Sequence, residues 1–404
     1  MNKNGIGGSS VEKELQKLKP LHGAPEPIVE NEFKGRLQKL CGLMKQESVE
    51  MIYINAGPNL YYFTGTKWSP SERLVGAILF PDETLIYVVP EFEIGTVLEY
   101  MGIQGEILPW KEHENVFQVI SDKIAIKKDF KLAIDDTAAF RISSGFTQFL
   151  KNAKQVSAEH LFMQCRMYKS SVEIENIQYA MNITMEVQKA TARIMRVGIS
   201  SAEVVTFIDK AHRIMGADKG SYFCIVLFGK DTSFPHGVKN PKNLEDGDII
   251  LVDTGCEFNG YISDITRCYF LGTPTKKQQN IWEIERDAQF AAFSAIQENK
   301  ACGMIDDETR KLLEKNDLGP GYQLPGLPHR VGHGIGIEIH EHPFIVKDNP
   351  IKLKAGMCFS IEPMICVKDE FGVRLEDHVY LGEDGPVWFT EPAMDIEDPF
   401  GYSK

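Results

Sequence analysis

The sequence predicts an α+β protein of two domains, an α/β domain followed by one in which helices gather against antiparallel strands. Three observations predict it. The 404 residues exceed what one ordinary hydrophobic core organises. Short apolar runs alternate with helical patterns up to about Met167. Beyond Lys169 the pattern changes to long amphipathic helices separated by strand pairs with hairpin turns.

Residues 1–28 are polar and rich in Gly and Pro, and they are expected to form a loose arm. The first domain is expected over 29–167. A helical pattern runs from Glu30 to about Lys45. Strands are expected at MIYINA (51–56), VGAILF (75–80), LIYVV (85–89) and KLAID (131–135), with helices near 91–100, 114–125 and 159–166. The second domain is expected over 168–404. Ser170 with Glu173, and Ser200 with Glu203, have the spacing of capping boxes and start two helices, ending near Arg196 and Gly216. A third helix is expected over about 275–298.

The composition, 43% hydrophobic and 25% charged, is that of a soluble globular protein. A formal charge of −13 argues against a broad nucleic-acid surface, which needs clustered Lys and Arg. No run approaches the roughly 20 apolar residues of a membrane span. The first residues carry no apolar signal core, so a cytoplasmic location is expected. The eight cysteines are scattered and read as reduced, mostly buried thiols; Cys256 is expected to be one of these, not a nucleophile.

The chemistry concentrates in the second domain. GDIILVDTGCEFNGYISDITRCYF (247–270) reads as a hairpin turning at Asn259 and Gly260. If 257–260 form the loop, Asp253 opposes Asp264. If Asn259 and Gly260 alone form it, Asp253 opposes Thr266 and Asp264 is a diagonal neighbour. Both registers put the two carboxylates on one face, because side chains alternate with period two. Two buried like charges need a cation between them, either a divalent metal or an Arg or Lys.

HRVGHGIGIEIHEH (329–342) places four His among glycines and β-branched residues, without an H-E-x-x-H zinc helix. Its IEIH run reads as a strand. FSIEPMI (359–365) and GVRLEDHVYL (372–381) read as a further hairpin that buries Glu362 and Glu376, with Arg374 as the expected partner of Glu376. Two Asp, one His and two Glu form an oxygen-rich donor set suited to Mn, Co, Fe or Zn, and larger than one ion needs. Two ions bridged by carboxylates are the natural count.

The motifs VDTGCEFNGYISDITR, HRVGHGIGIEIHE, FSIEP and VRLEDHV, in this order, resemble those of the pita-bread metallopeptidases, the family of methionine aminopeptidases, aminopeptidase P, prolidases and creatinases. The resemblance runs from about Glu30 to Glu391. The preceding α/β domain is similar to that of the aminopeptidase P, prolidase and creatinase branch. The resemblance implies a C-terminal pita-bread catalytic domain preceded by an α/β creatinase-like N-terminal domain. It implies two divalent metal ions, manganese foremost, at Asp253, Asp264, His333, Glu362 and Glu376. It carries substrate and intermediate roles onto His236, His340 and Arg374, and proton transfer onto Glu362.

The same branch implies a homodimer that cleaves the bond before proline in short peptides, as an Xaa-Pro dipeptidase in preference to an Xaa-Pro aminopeptidase. A free substrate carboxylate would fall to Arg374, or to Arg73 of a partner subunit. The alternatives are a creatinase-like or ectoine-hydrolase-like amidohydrolase and a peptide-binding relative without catalysis.

Overall fold

The computed structural model describes residues 4–124, 126 and 128–402. The chain divides into two compact units, Pro27–Arg166 and Met1–Glu26 with Met167–Lys404.

In the first unit, six strands form one sheet: β1 (Met51–Asn55), β2 (Gly76–Leu79), β3 (Leu85–Pro90), β4 (Glu106–Trp110), β5 (Phe130–Ile134) and β6 (Ala153–Ser157). Their order is β4-β3-β2-β1-β5-β6. β2 runs antiparallel to both β1 and β3, while β4, β5 and β6 join in parallel. A core of Tyr53, Ile78, Val88, Leu132 and Phe146 packs against the sheet. The helix Glu30–Glu47 starts where the sequence predicts and ends on Ser48 in the left-handed region, φ 54. β4, β6 and the helix Phe140–Phe149 were not legible as regular elements, since β4 and β6 are half-exposed and lack a continuous apolar run.

The second unit begins with a departure from expectation. Residues before Glu26 are not a loose arm over the described part. Val11–Lys17 is a helix capped by Ser10. Ile6 is buried in the core of this unit, and Val11, Leu15, Leu18 and Leu21 pack against it. Glu14 is fully buried and is satisfied by Ser9, Lys17 and Arg193. Apolar residues at helical spacing, hidden in a polar composition, drive this docking.

The helices Ser171–Ile194 and Ser201–Met215 carry the expected capping boxes, and Gly216 ends the second in the left-handed region. Both pack on β7 (Ser221–Phe228) and β8 (Ile249–Phe258), burying Ile183, Val187, Phe207, Ile208, Val226 and Val252. β9 (Tyr261–Ile262) and β10 (Ile265–Phe270) return from β8. The helices Lys276–Ser294 and Gly303–Lys315 follow.

A five-stranded sheet, in the order β12-β11-β13-β16-β17, completes the unit. Its strands are β11 (Gly332–Gly334), β12 (Glu341–Ile345), β13 (Cys358–Ile361), β16 (Asp377–Gly382) and β17 (Gly385–Trp388). β14 (Met364–Val367) and β15 (Phe371–Arg374) form a separate pair. The expected hairpin over 359–381 is thus divided in two, interrupted after Ile361 and after Arg374. No helix among the described residues is long and apolar enough to cross a membrane.

Candidate metal centre

The site is assembled by three strand pairs. The first is the β8 to β10 hairpin. Asn259 and Gly260 both take positive φ, 50 and 83, which a two-residue hairpin loop requires. That loop selects the second register: Asp253 pairs with Thr266, and Asp264 is the diagonal neighbour on the same face. The strand is interrupted at Ser263 and Asp264, between β9 and β10, although Ser263 N still donates to Cys256 O at 2.9 Å.

The second pair is β11 with β12. His333 sits between two glycines because neighbouring backbone leaves no room for more. A Cβ at Gly332 would lie 2.0 Å from Ser360 O, and one at Gly334 would lie 2.3 Å from His342 O. The His333 ring lies 3.1 Å through Nδ1 from Gly334 O, an acceptor, so Nδ1 carries the proton. Its Nε2 is left facing carboxylates, 3.1 Å from Glu362, 3.8 Å from Asp264 and 4.0 Å from Glu376.

The third is the divided hairpin. The same register holds on both sides of the interruption, Ile361 with Asp377 and Met364 with Arg374, so Glu362 falls opposite Glu376. Thr266 donates to Glu376 Oε2 at 2.8 Å, and Ser360 donates to Glu362 Oε1 at 3.2 Å and accepts from His333 N at 2.9 Å. An isolated bridge between Thr266 and Glu376 stitches this hairpin to the first.

Arg374 departs from its expected partner. Its guanidinium pairs with Asp253, not Glu376, which it reaches only through Thr266 Oγ1 at 3.1 Å. Its remaining reach goes to Pro235 O at 3.2 Å, and the residue is 3% exposed. Every arm of the fork is engaged, so it offers nothing to a substrate carboxylate.

Four carboxylates thus meet one guanidinium and the imidazoles of His333 and His378. Burial, then repulsion from Glu376 and Asp253, pushes Asp264 well above the ordinary carboxylate range. Burial and the charge of Glu362 do the same to Glu376. Glu362 moves the other way: burial opposes its charge, but the His333 ring outweighs it and holds the carboxyl low. Asp253 Oδ1, Asp264 Oδ1 and Glu376 Oε1 are buried without a hydrogen-bond partner. Asp264, Glu362 and Glu376 each turn an oxygen toward His333 Nε2, and orphaned oxygens on such a donor set fit divalent cations. Asp264, His333, Glu376 and His378 each present a ligand atom within 4.8 Å of one another.

His378 is the residue that sequence reasoning missed. It is fully buried, and neither ring nitrogen has a hydrogen-bond partner. Burial and the nearby His333 hold it well below the usual histidine pKa. Its signal was parity, because it lies two residues beyond Glu376 and therefore on the same face.

His340 stands edge-on to His333 with ring centroids 4.3 Å apart. Desolvation and the neighbouring His333 push its pKa down to about 4. The segment that carries it is a bend and not the expected strand; regular pairing resumes at Glu341. Glu341, buried against Lys169, pins that bend. His236 lies exposed in the turn after Gly229–Ser233.

The fold and the cluster together define a two-domain hydrolase of the metallopeptidase class. A model of metallopeptidase family M24 matches residues 175–383, and one of the creatinase/prolidase N-terminal domain matches residues 36–168. The chain belongs to metallopeptidase family M24. It is 30% identical over 366 residues to an Xaa-Pro dipeptidase of Pyrococcus furiosus, covering 90% of this chain and all of that one. Among solved structures it is similar to a prolidase from Thermococcus sibiricus, with a TM-score of 0.82, 28% identity, and 89% and 97% of the two chains covered. It is also similar to the dipeptidase PepE from Mycobacterium ulcerans, with a TM-score of 0.85, 26% identity, and 92% and 99% covered.

Proposed function

We propose that the protein is a metal-dependent exopeptidase that hydrolyses the Xaa-Pro bond of dipeptides. The observation that carries this is the gathering of three carboxylates, Glu362, Asp264 and Glu376, within 4.0 Å of His333 Nε2, with His340 beside it. Asp253, Asp264, His333, Glu362 and Glu376 hold two divalent ions, manganese foremost, with Co, Zn and Fe as alternatives. When bound, such ions supply Lewis acidity and lower the pKa of water.

The chain's own groups do the rest. Glu362 has 13% of its side chain exposed, against 2% for Glu376, so it is the carboxylate open to a reacting water. In its ionised form it accepts a proton and returns it to the leaving proline nitrogen. His340 is neutral at pH 7, so its N–H donates to the oxygen of the scissile carbonyl as charge develops there. His236 orients the peptide from the other wall. Arg374 acts as a positioning group, fixing Asp253 and, through Thr266, Glu376.

The test is hydrolysis of an Xaa-Pro dipeptide by protein stripped with chelator and reloaded with Mn, Co, Zn or Fe. Metal-restored cleavage is expected. Failure on every peptide, with turnover of creatine or another small amide, would move the chain to the amidohydrolases. Failure on all substrates would leave a peptide-binding relative. The reading includes a homodimer, checked by solution mass at micromolar concentration; a fully active monomer removes it. It also includes a cytoplasmic location, with which eight free cysteines accord.

A further inference from the structure

A dipeptidase differs from an aminopeptidase in sensing a free carboxylate one residue beyond the scissile bond. The arginines of the catalytic unit near the cluster are nearly all spent. Arg374 is spent as described. Arg310 is paired with Asp306 and donates to three backbone carbonyls, and Arg267 is locked to Asp377. Arg73, the other expectation, is paired with Glu112 and Glu72.

Arg330 is different. Among the described residues its side chain makes no ion pair and no hydrogen bond; its guanidinium carbon lies 4.4 Å from the centroid of the Phe344 ring. It is partly exposed. Phe344 pairs directly with His333 across β11 and β12, so both side chains project from the same face, the one that carries the metal cluster. Phe344 and His342 are half-exposed there, while Glu341, Pro343 and Ile345 are buried behind. The positive charge of Arg330 also reaches His340.

We propose that Arg330, held over the Phe344 ring, binds the C-terminal carboxylate of the dipeptide and makes the enzyme count one residue past the bond it cuts. Stacking on an aromatic face fixes the plane of a guanidinium and leaves its N–H edge free for a bidentate carboxylate. Directly paired residues on adjacent strands stand about 5 Å apart, near the ~3.8 Å that separates consecutive Cα atoms of a peptide. The platform therefore stands at the strand position directly beside His333. The inference rests on the dipeptidase reading and supplies its missing recognition element.

The experiment compares wild type, Arg330→Met and Arg330→Lys, all metal-loaded, on an Xaa-Pro dipeptide and its C-terminal amide. Met keeps an apolar contact with Phe344 and removes the charge. Wild type is expected to favour the free acid. Arg330→Met should lower the acid-to-amide ratio of kcat/KM about 10- to 100-fold, mainly through KM, and Arg330→Lys should recover part of it. An unchanged ratio, with a melting temperature equal to that of wild type, would reduce Arg330 to a packing residue. If proline substrates are not cut but another dipeptide is, the same ratio on that dipeptide and its amide tests Arg330 independently of the proline assignment. If nothing is cut, calorimetric binding of the dipeptide and its amide decides: carboxylate-dependent binding lost in Arg330→Met supports the assignment, and equal binding of acid and amide by wild type overturns it.

Discussion

Glu376 and Asp377 are consecutive, equally buried and opposite in circumstance. Asp377 faces away from the metal cluster. It takes two hydrogen bonds from Arg267, at 2.7 and 3.1 Å, and others from Gln289 and Thr390. Glu376 faces the cluster, and one of its oxygens has no partner. Thr266 and Arg267 divide in the same way on β10, one toward each face. The two faces are built from the same strands at the same depth, yet one gives its carboxylate a full counter-charge and the other gives four carboxylates the single guanidinium of Arg374. A buried carboxylate without a counter-charge is expensive, so the difference marks the face meant for an external cation.

The comparison breaks most sharply at the metal face. His333→Ala or Asp264→Asn should reduce turnover by about 1,000-fold or more while leaving the circular dichroism spectrum intact, and chelation of wild type should do the same. Retained activity in any of these would mean the orphaned oxygens serve another purpose. On the reverse face the damage should be to stability. Arg267→Met strands Asp377 and should cost about 3–5 kcal/mol in denaturant unfolding, much of it recovered by adding Asp377→Leu.

The faces should also differ in their response to pH. Asp264 and Glu376 hold protons more tightly in the folded, metal-free chain than in the unfolded one. That chain therefore loses stability from this pair as pH rises beyond the ordinary Asp value of 3.8. The stability of chelated Asp264→Asn relative to chelated wild type should grow by roughly 1–3 kcal/mol between pH 5 and 8. A constant difference in melting temperature would show that the carboxylates share no excess proton affinity. The smallest effect is expected at His378. His378→Asn should weaken metal binding by about tenfold, read by titration with a competing chelator.

The legibility of this molecule in its sequence follows the range of the interactions. The capping boxes at Ser170 and Ser200 involve residues three apart, and both formed as read. Parity along single strands placed Asp253 and Asp264 on one face under either register. Choosing between the registers needed the φ angles of Asn259 and Gly260, which sequence suggests but does not decide. Arg374 was assigned to Glu376 by the same parity, but the neighbour that won its fork was Asp253, from a strand more than a hundred positions away. His378 shares the face of Glu376 by the same parity, but its place between Asp377 and Val379 gives no sign in sequence of the groups it meets. Arg330 and Phe344 gained meaning only once β12 had folded back beside β11.

The docking of Val11–Lys17 has a consequence in time. Glu14 bonds Arg193 across 179 positions. At roughly 5–20 residues per second, the ribosome delivers that arginine on the order of ten seconds or more after the helix that needs it. During this interval the whole of Pro27–Arg166 emerges and can complete its own sheet, while the apolar stripe of the first helix waits without its core. Part of the catalytic unit is thus made before Pro27–Arg166, and the unit is finished only after it. An extension fused to the amino terminus would burden a segment whose docking the peptidase half still awaits.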